Sequence, residues 1–219
     1  MTEQKTERLY FDEHQWATIE AAMARIIPTD DLPGAREANT VGFVDRYLSG
    51  IEYVWAEPDG SGFQKLSGHL ADAWWQRIDT LRETYRAGVR ELDRLANERH
   101  GQNFASLLEE QQDAVLSEME SDGTGDAAAE SEDQATAAFS PATAEAPDVG
   151  MQQTLTELEL AFFDLLCFQT RQGFYSDPIY GGNRDHVGWE VLNFPGPKSM
   201  KEINDGTFDT LPYFAPEGE

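Results

Sequence analysis

Apolar residues recur every three or four positions over several stretches of the chain, a spacing that predicts amphipathic helices. The first stripe is Trp16, Ile19, Met23, Ile26 and Ile27. Its start carries a capping signal, with Asp12 as N-cap, Gln15 at the third helical position and Phe11 placed to staple against Trp16. Pro28 ends it. Turn-forming residues fill 29–35, and a shorter helix follows that carries Val41, Val44 and Leu48 and ends near Gly50. After a Gly-rich connector from Pro58 to Gly68 comes the strongest signal of all. Leu70, Trp74, Ile78, Leu81, Tyr85, Val89, Leu92 and Leu95 predict the longest helix, which stops at His100-Gly101. Ser106 and Glu109, preceded by Phe104, predict a second capping box and a helix bearing Leu107, Leu108, Val115, Leu116 and Met119.

From about Glu120 to Gly150 the residues turn to Asp, Glu, Ala, Thr, Ser, Gly and Pro, with Phe139 the only aromatic. Such a stretch buries too little apolar surface to offset the entropy of ordering it, and predicts a disordered acidic insert. Thr154 with Glu157 then predicts the cap of a helix that is apolar on most of its circumference, through Leu155, Leu158, Leu160, Phe162, Phe163, Leu165, Leu166 and Phe168. A helix of this kind belongs at the centre of a bundle or under a partner. Gly173 to Glu219 is rich in Gly, Pro and aromatics without helical periodicity, which predicts a long ordered loop. The expected architecture is an all-α, single-domain helical bundle. Its parts are a flexible N-terminus (1–9), a first helical part (10–119), the insert (120–150), a second helical part with the loop (151–197) and a tail (198–219).

Charge narrows the partners. The 219 residues hold 16 Lys and Arg against 41 Asp and Glu, a net charge of −25 that repels nucleic acid and anionic lipid. An apolar fraction of 40% still supplies a core. Lysine is scarce (Lys5, Lys65, Lys198, Lys201), a balance that suits either a halophile's salty cytoplasm or an ordinary acidic bacterial protein. The N-terminus has no apolar signal core, so the expectation is a cytoplasmic chain, or one exported only with a signal-bearing partner. No stretch reaches the roughly 20 apolar residues of a membrane span, so no direct membrane insertion is expected.

Catalytic chemistry finds little support. Cys167 is the single cysteine, which excludes an intramolecular disulfide and any multi-cysteine metal or haem motif within the chain; its apolar surroundings predict a buried, inert thiol. His14, His69, His100 and His186 form no pair at metal-ligand spacing on a helix. Neither a phosphate-binding Gly loop nor a nucleophile elbow is present. The expectation is therefore no catalytic, metal or cofactor-binding residue in this chain.

One stretch stands apart: Gly173-Phe174-Tyr175-Ser176-Asp177-Pro178-Ile179-Tyr180-Gly181-Gly182-Asn183-Arg184-Asp185, then Gly188-Trp189 and Phe194-Pro195-Gly196. Gly181 and Gly182 permit positive torsions and close backbone approach, Asn183 and Arg184 carry several donors, and Tyr175, Tyr180 and Trp189 are residue types that anchor interfaces. With Asp177 these residues are the candidates for partner binding, or for bracing the loop itself.

Together with Arg25-Ile26-Ile27-Pro28-Thr29-Asp30 and Pro33-Gly34-Ala35-Arg36-Glu37-Ala38, the stretch resembles the gluconate 2-dehydrogenase subunit 3 family. The resemblance covers roughly residues 10–118 and 152–197. It implies a non-catalytic accessory subunit that helps a large flavin-dependent sugar, sugar-acid or alcohol dehydrogenase of the glucose-methanol-choline type to mature, remain stable and be exported. FAD and the substrate base would lie in that large subunit, and in some members a cytochrome c subunit carries electrons away. Many relatives begin with a twin-arginine signal that this sequence lacks, and the acidic insert is a second departure. An independent helical binding module and a carboxylate metalloenzyme are the alternative readings.

Overall fold

The computed structural model describes residues 8–123 and 157–209. Among them every regular element is helical apart from an isolated antiparallel bridge between Ala56 and Phe63. The first seven residues, the acidic insert from residue 124 on, the Thr154 cap and the tail beyond Asp209 lie outside the described residues; residues 120–123, expected to open the insert, are helical.

Helix α1 (Glu13–Ile26) opens on the expected capping box: the Asp12 side chain accepts from the Gln15 N–H, and the Gln15 side chain accepts from the Asp12 N–H. Beyond it, Pro33-Gly34 folds back on the end of α1. The Ala35 N–H donates to the Ile27 carbonyl at 2.8 Å, and a Cβ on Gly34 would lie 2.6 Å from that same oxygen. Helix α2 (Thr40–Ser49) buries Val41, Val44 and Leu48. It also buries Asp45, whose carboxylate accepts from the N–H groups of Leu9, Tyr10 and Phe11 and so fixes the entry of the chain into the core.

Helix α3 (Gly68–His100) spans 33 residues and is the longest, ending as predicted on Gly101 in the left-handed region at φ 68°. Its stripe is buried only from Arg77 onward. Leu70 is 44% exposed, because the first two turns extend past the bundle. The predicted capping box at Ser106 is not formed. Ser106 sits in a 3-10 turn (Phe104–Ser106), and helix α4 (Glu109–Gly123) starts only at Glu109, with the Leu108 N–H bonded to the Gln111 side chain. The Asp93 carboxylate holds the turn instead, accepting from the Phe104 N–H.

The long apolar helix expected from Thr154 is broken at Leu160-Ala161. Helix α5 (Phe162–Tyr175) begins afresh after Ala161, whose backbone is extended (φ −60°, ψ 157°). The break lets Phe162 turn inward against Gly88, where a Cβ would lie 2.2 Å from the ring, and against Tyr85 at a centroid distance of 5.6 Å. Just before the break, Glu157 is buried. Helix α1 touches the other four long helices. Their shared core includes Ile19, Met23, Val44, Leu48, Leu81, Tyr85, Leu92, Val115, Leu165 and Leu166. Burying one such aliphatic side chain contributes about 1.5–3 kcal/mol.

The region after Gly173 is more helical than its composition suggests. Gly173, Phe174 and Tyr175 form the last turn of α5, and two short helices follow, α6 (Val187–Val191) and α7 (Met200–Asn204). Cys167 is half-buried rather than fully buried; burial pushes its thiol up to about 11, above the range in which a thiolate forms at neutral pH.

Candidate functional site

The signature stretch wraps around the C-terminal turn of α5 and is held from behind. Asn183 is fully buried with φ 44°, in the left-handed region. Its backbone N–H donates to the Gly173 carbonyl (2.8 Å) and its side-chain amide donates to the Ser176 carbonyl (2.9 Å), while its Oδ1 accepts from the Gly188 N–H (2.8 Å). A single side chain thus ties the end of α5 to the start of α6. Such closeness requires glycine: a Cβ on Gly182 would stand 2.1 Å from the Gly173 carbonyl oxygen, and one on Gly188 would stand 1.9 Å from that of Phe174.

The other predicted residues divide by direction. Trp189, 6% exposed, donates its indole N–H to the Tyr175 carbonyl at 2.8 Å and packs edge-on against Phe194. The Tyr180 hydroxyl accepts from the Ala56 N–H, and its ring rests on Phe63. Asp177 accepts from the Ile179 N–H and so caps the turn Pro178–Tyr180. Gly181, at φ 99°, turns the chain and offers its carbonyl to the Asn39 amide. Tyr175 and Arg184 are exposed, together with Asp185 and His186.

Sequence reasoning missed the residues that receive the loop. Asn39 bonds the Gly181 carbonyl, Arg46 donates to the Ile179 carbonyl at 2.7 Å, and the Ala38 carbonyl accepts from the Arg184 N–H at 3.0 Å. The two ends of the motif, over 140 residues apart in the chain, are therefore neighbours in space. Asn39 adjoins the quoted Pro33–Ala38 segment, and asparagine, a residue type that tolerates the left-handed region, adopts it there at φ 55°. Next to this surface, His186, Glu190, Phe194, Pro195, Pro197 and Lys198 line an open groove of about 490 Å³.

The signature stretch, residues 173–196, carries Arg184 against Asp177, Asp185 and Glu190, and so shares the acidic character of a chain whose net charge is −25. Among the described residues, no group of three or more His, Cys, Asp and Glu side chains is placed to hold a metal ion, and no helix is long and apolar enough to cross a membrane.

A helical bundle with a glycine- and asparagine-welded loop, built jointly from both ends of the chain, is the class of protein this geometry defines. The family model for gluconate 2-dehydrogenase subunit 3 matches residues 13–196, which span both motif segments and the bundle between them, and the chain belongs to that family. No curated protein and no solved structure matches it.

Proposed function

We propose that this chain is the non-catalytic small subunit that binds and stabilises a large flavin-dependent dehydrogenase subunit, with FAD and the substrate chemistry residing in that partner. The contact face in this reading is the outward side of the signature loop. The observation that carries it is the division of labour within the loop. Asn183, Gly182 and Trp189 face inward and hold the backbone, leaving Tyr175 and Arg184 exposed on a pre-shaped surface. Preorganisation of this kind lowers the entropy lost on association.

The test is co-expression with a large flavin-dependent dehydrogenase subunit from the same genome, followed by size-exclusion chromatography and affinity measurement. Tyr175→Ala and Arg184→Ala are each expected to weaken the complex by about 2 kcal/mol or more, roughly thirtyfold. Both isolated variants should melt like the wild type, because exposed side chains contribute little to the fold. Undiminished complex formation by both variants would remove the loop as the docking face.

A further inference from the structure

A second buried polar cluster lies one helical turn up α5 from the signature loop, and the docking reading makes no use of it. Glu157, 4% exposed, is bonded through one carboxylate oxygen to the Arg77 guanidinium and through the other to the Gln169 side-chain amide. Arg77, itself 6% exposed, donates through Nε to the Tyr47 hydroxyl at 2.9 Å, and its guanidinium lies 5.2 Å from the centre of the Trp74 ring. Gln169 in turn accepts from the Tyr85 hydroxyl at 2.6 Å. The side chains come from α2 (Tyr47), α3 (Arg77, Tyr85), α5 (Gln169) and the short stretch 157–160 where the described chain resumes.

The position of Gln169 gives the cluster its reach. It stands four residues before Gly173, on the same face of α5. Gly173 is the residue whose carbonyl receives the Asn183 N–H, and its missing Cβ lets α5 sit against Phe43 and the Thr40 carbonyl of α2. Glu157 therefore grips α5 one turn before the point on which the loop is built. A buried charge that loses its partner is strongly unfavourable, so the 157–160 stretch is not free to leave its seat while Arg77 stays in place.

We propose that Glu157 is the bolt of an internal latch: its carboxylate pins residues 157–160 to α3 and α5 together, so that the seating of the signature loop depends on the seating of this stretch. The coupling belongs to the isolated chain and holds whether or not the loop docks a partner. Its consequence is that whatever displaces 157–160 loosens the loop, and, by reciprocity, whatever clamps the loop holds 157–160 in place.

Amide hydrogen exchange on the isolated full chain tests it, comparing wild type with Glu157→Ala and Gln169→Met. The second variant cuts the link to α5 yet leaves the Arg77–Glu157 pair intact, and so decides the matter even where Glu157→Ala fails to fold. In Gln169→Met the amides of Asn183, Arg184 and Gly188 should exchange about tenfold faster or more, the worth of one charge-assisted hydrogen bond, while inner α1 amides keep their wild-type rates. Acceleration confined to 157–160, or spread evenly over α1, α2 and the loop, overturns the latch. So does an unchanged loop.

Discussion

One turn of α5 separates two buried polar clusters that hold this fold by different means. At Gln169 the cluster is ionic, built from side chains of four segments around the Arg77–Glu157 pair. At Gly173 it is neutral, and a single amide, Asn183, satisfies backbone groups on either side of it. The ionic cluster joins elements distant in sequence, and removing one member alone leaves the other buried without it. The neutral one shapes a local backbone, and its contribution is a set of hydrogen bonds whose loss exposes no charge. Truncation should therefore separate them.

The largest effect is expected at the ionic cluster. Glu157→Ala leaves the Arg77 guanidinium buried without its main counter-charge and should lower stability by about 3–5 kcal/mol in urea denaturation. The paired change Arg77→Met with Glu157→Leu removes both charges and should recover most of that loss, since apolar side chains of similar volume often replace a buried pair at little cost. A double variant as unstable as the single would show that shape, not charge, decides this site. At the neutral cluster, Asn183→Ala orphans the Ser176 carbonyl and the Gly188 N–H and places alanine at φ 44°, for an expected loss of about 2–3 kcal/mol. Asn183→Asp keeps the acceptor for Gly188 but not the donor to Ser176, and thermal melting should place it between wild type and alanine.

The smallest difference is one of pH. Burial pushes the Glu157 carboxyl up from its ordinary value, opposed by Arg77, Gln169 and Tyr47, which face it. A carboxyl raised in the folded state contributes stability that is fully present below its unfolded value of about 4.3 and is lost as pH rises through the folded value. The stability difference between wild type and Glu157→Gln should thus shift against the wild type as pH rises from about 4. The difference between wild type and Asn183→Ala should stay level over the same window. A wild-type advantage over Glu157→Gln that grows with pH would mean that Arg77 outweighs burial.

Much of the bundle was visible in the pattern of residues. The Asp12–Gln15 cap, the end of α1 at Pro28, the extent of α3 and the Gly101 stop depend on groups within one turn of each other, and they formed as expected. Predictions failed where a distant group took over a local role. Ser106 had Glu109 three residues on, yet the Asp93 carboxylate of α3 holds that turn and α4 starts later. Glu157 is held in the interior by Arg77 and Gln169, 80 and 12 residues away, partners that no local pattern names. Asp45 did carry a signal that was overlooked, a carboxylate on the same helical face as Val41, Val44 and Leu48 with no local partner.

The candidate site shows the same division. Gly181 and Gly182 could be read as a backbone needing positive torsions and close approach, and Gly181 supplies the first and Gly182 the second; Asn183, read for its donors, uses its amide to hold the Ser176 carbonyl. Which of the aromatic and charged residues face outward could not be read. Trp189 and Tyr180 are turned inward by Tyr175, Phe194, Ala56 and Phe63, while Tyr175 and Arg184 remain outside.

The sequence by itself determined the helical class, the places where helices begin and end by local capping, the family, and the net charge of −25. Each of these follows from neighbours along the chain or from composition, which need no knowledge of packing. Only the tertiary structure decided that Asn39 meets Gly181, that Arg77 meets Glu157 and that α5 carries both clusters on one face. Those pairings depend on the register at which helices pack, and a shift of one residue turns a side chain by about 100° around its helix, enough to exchange a buried partner for water.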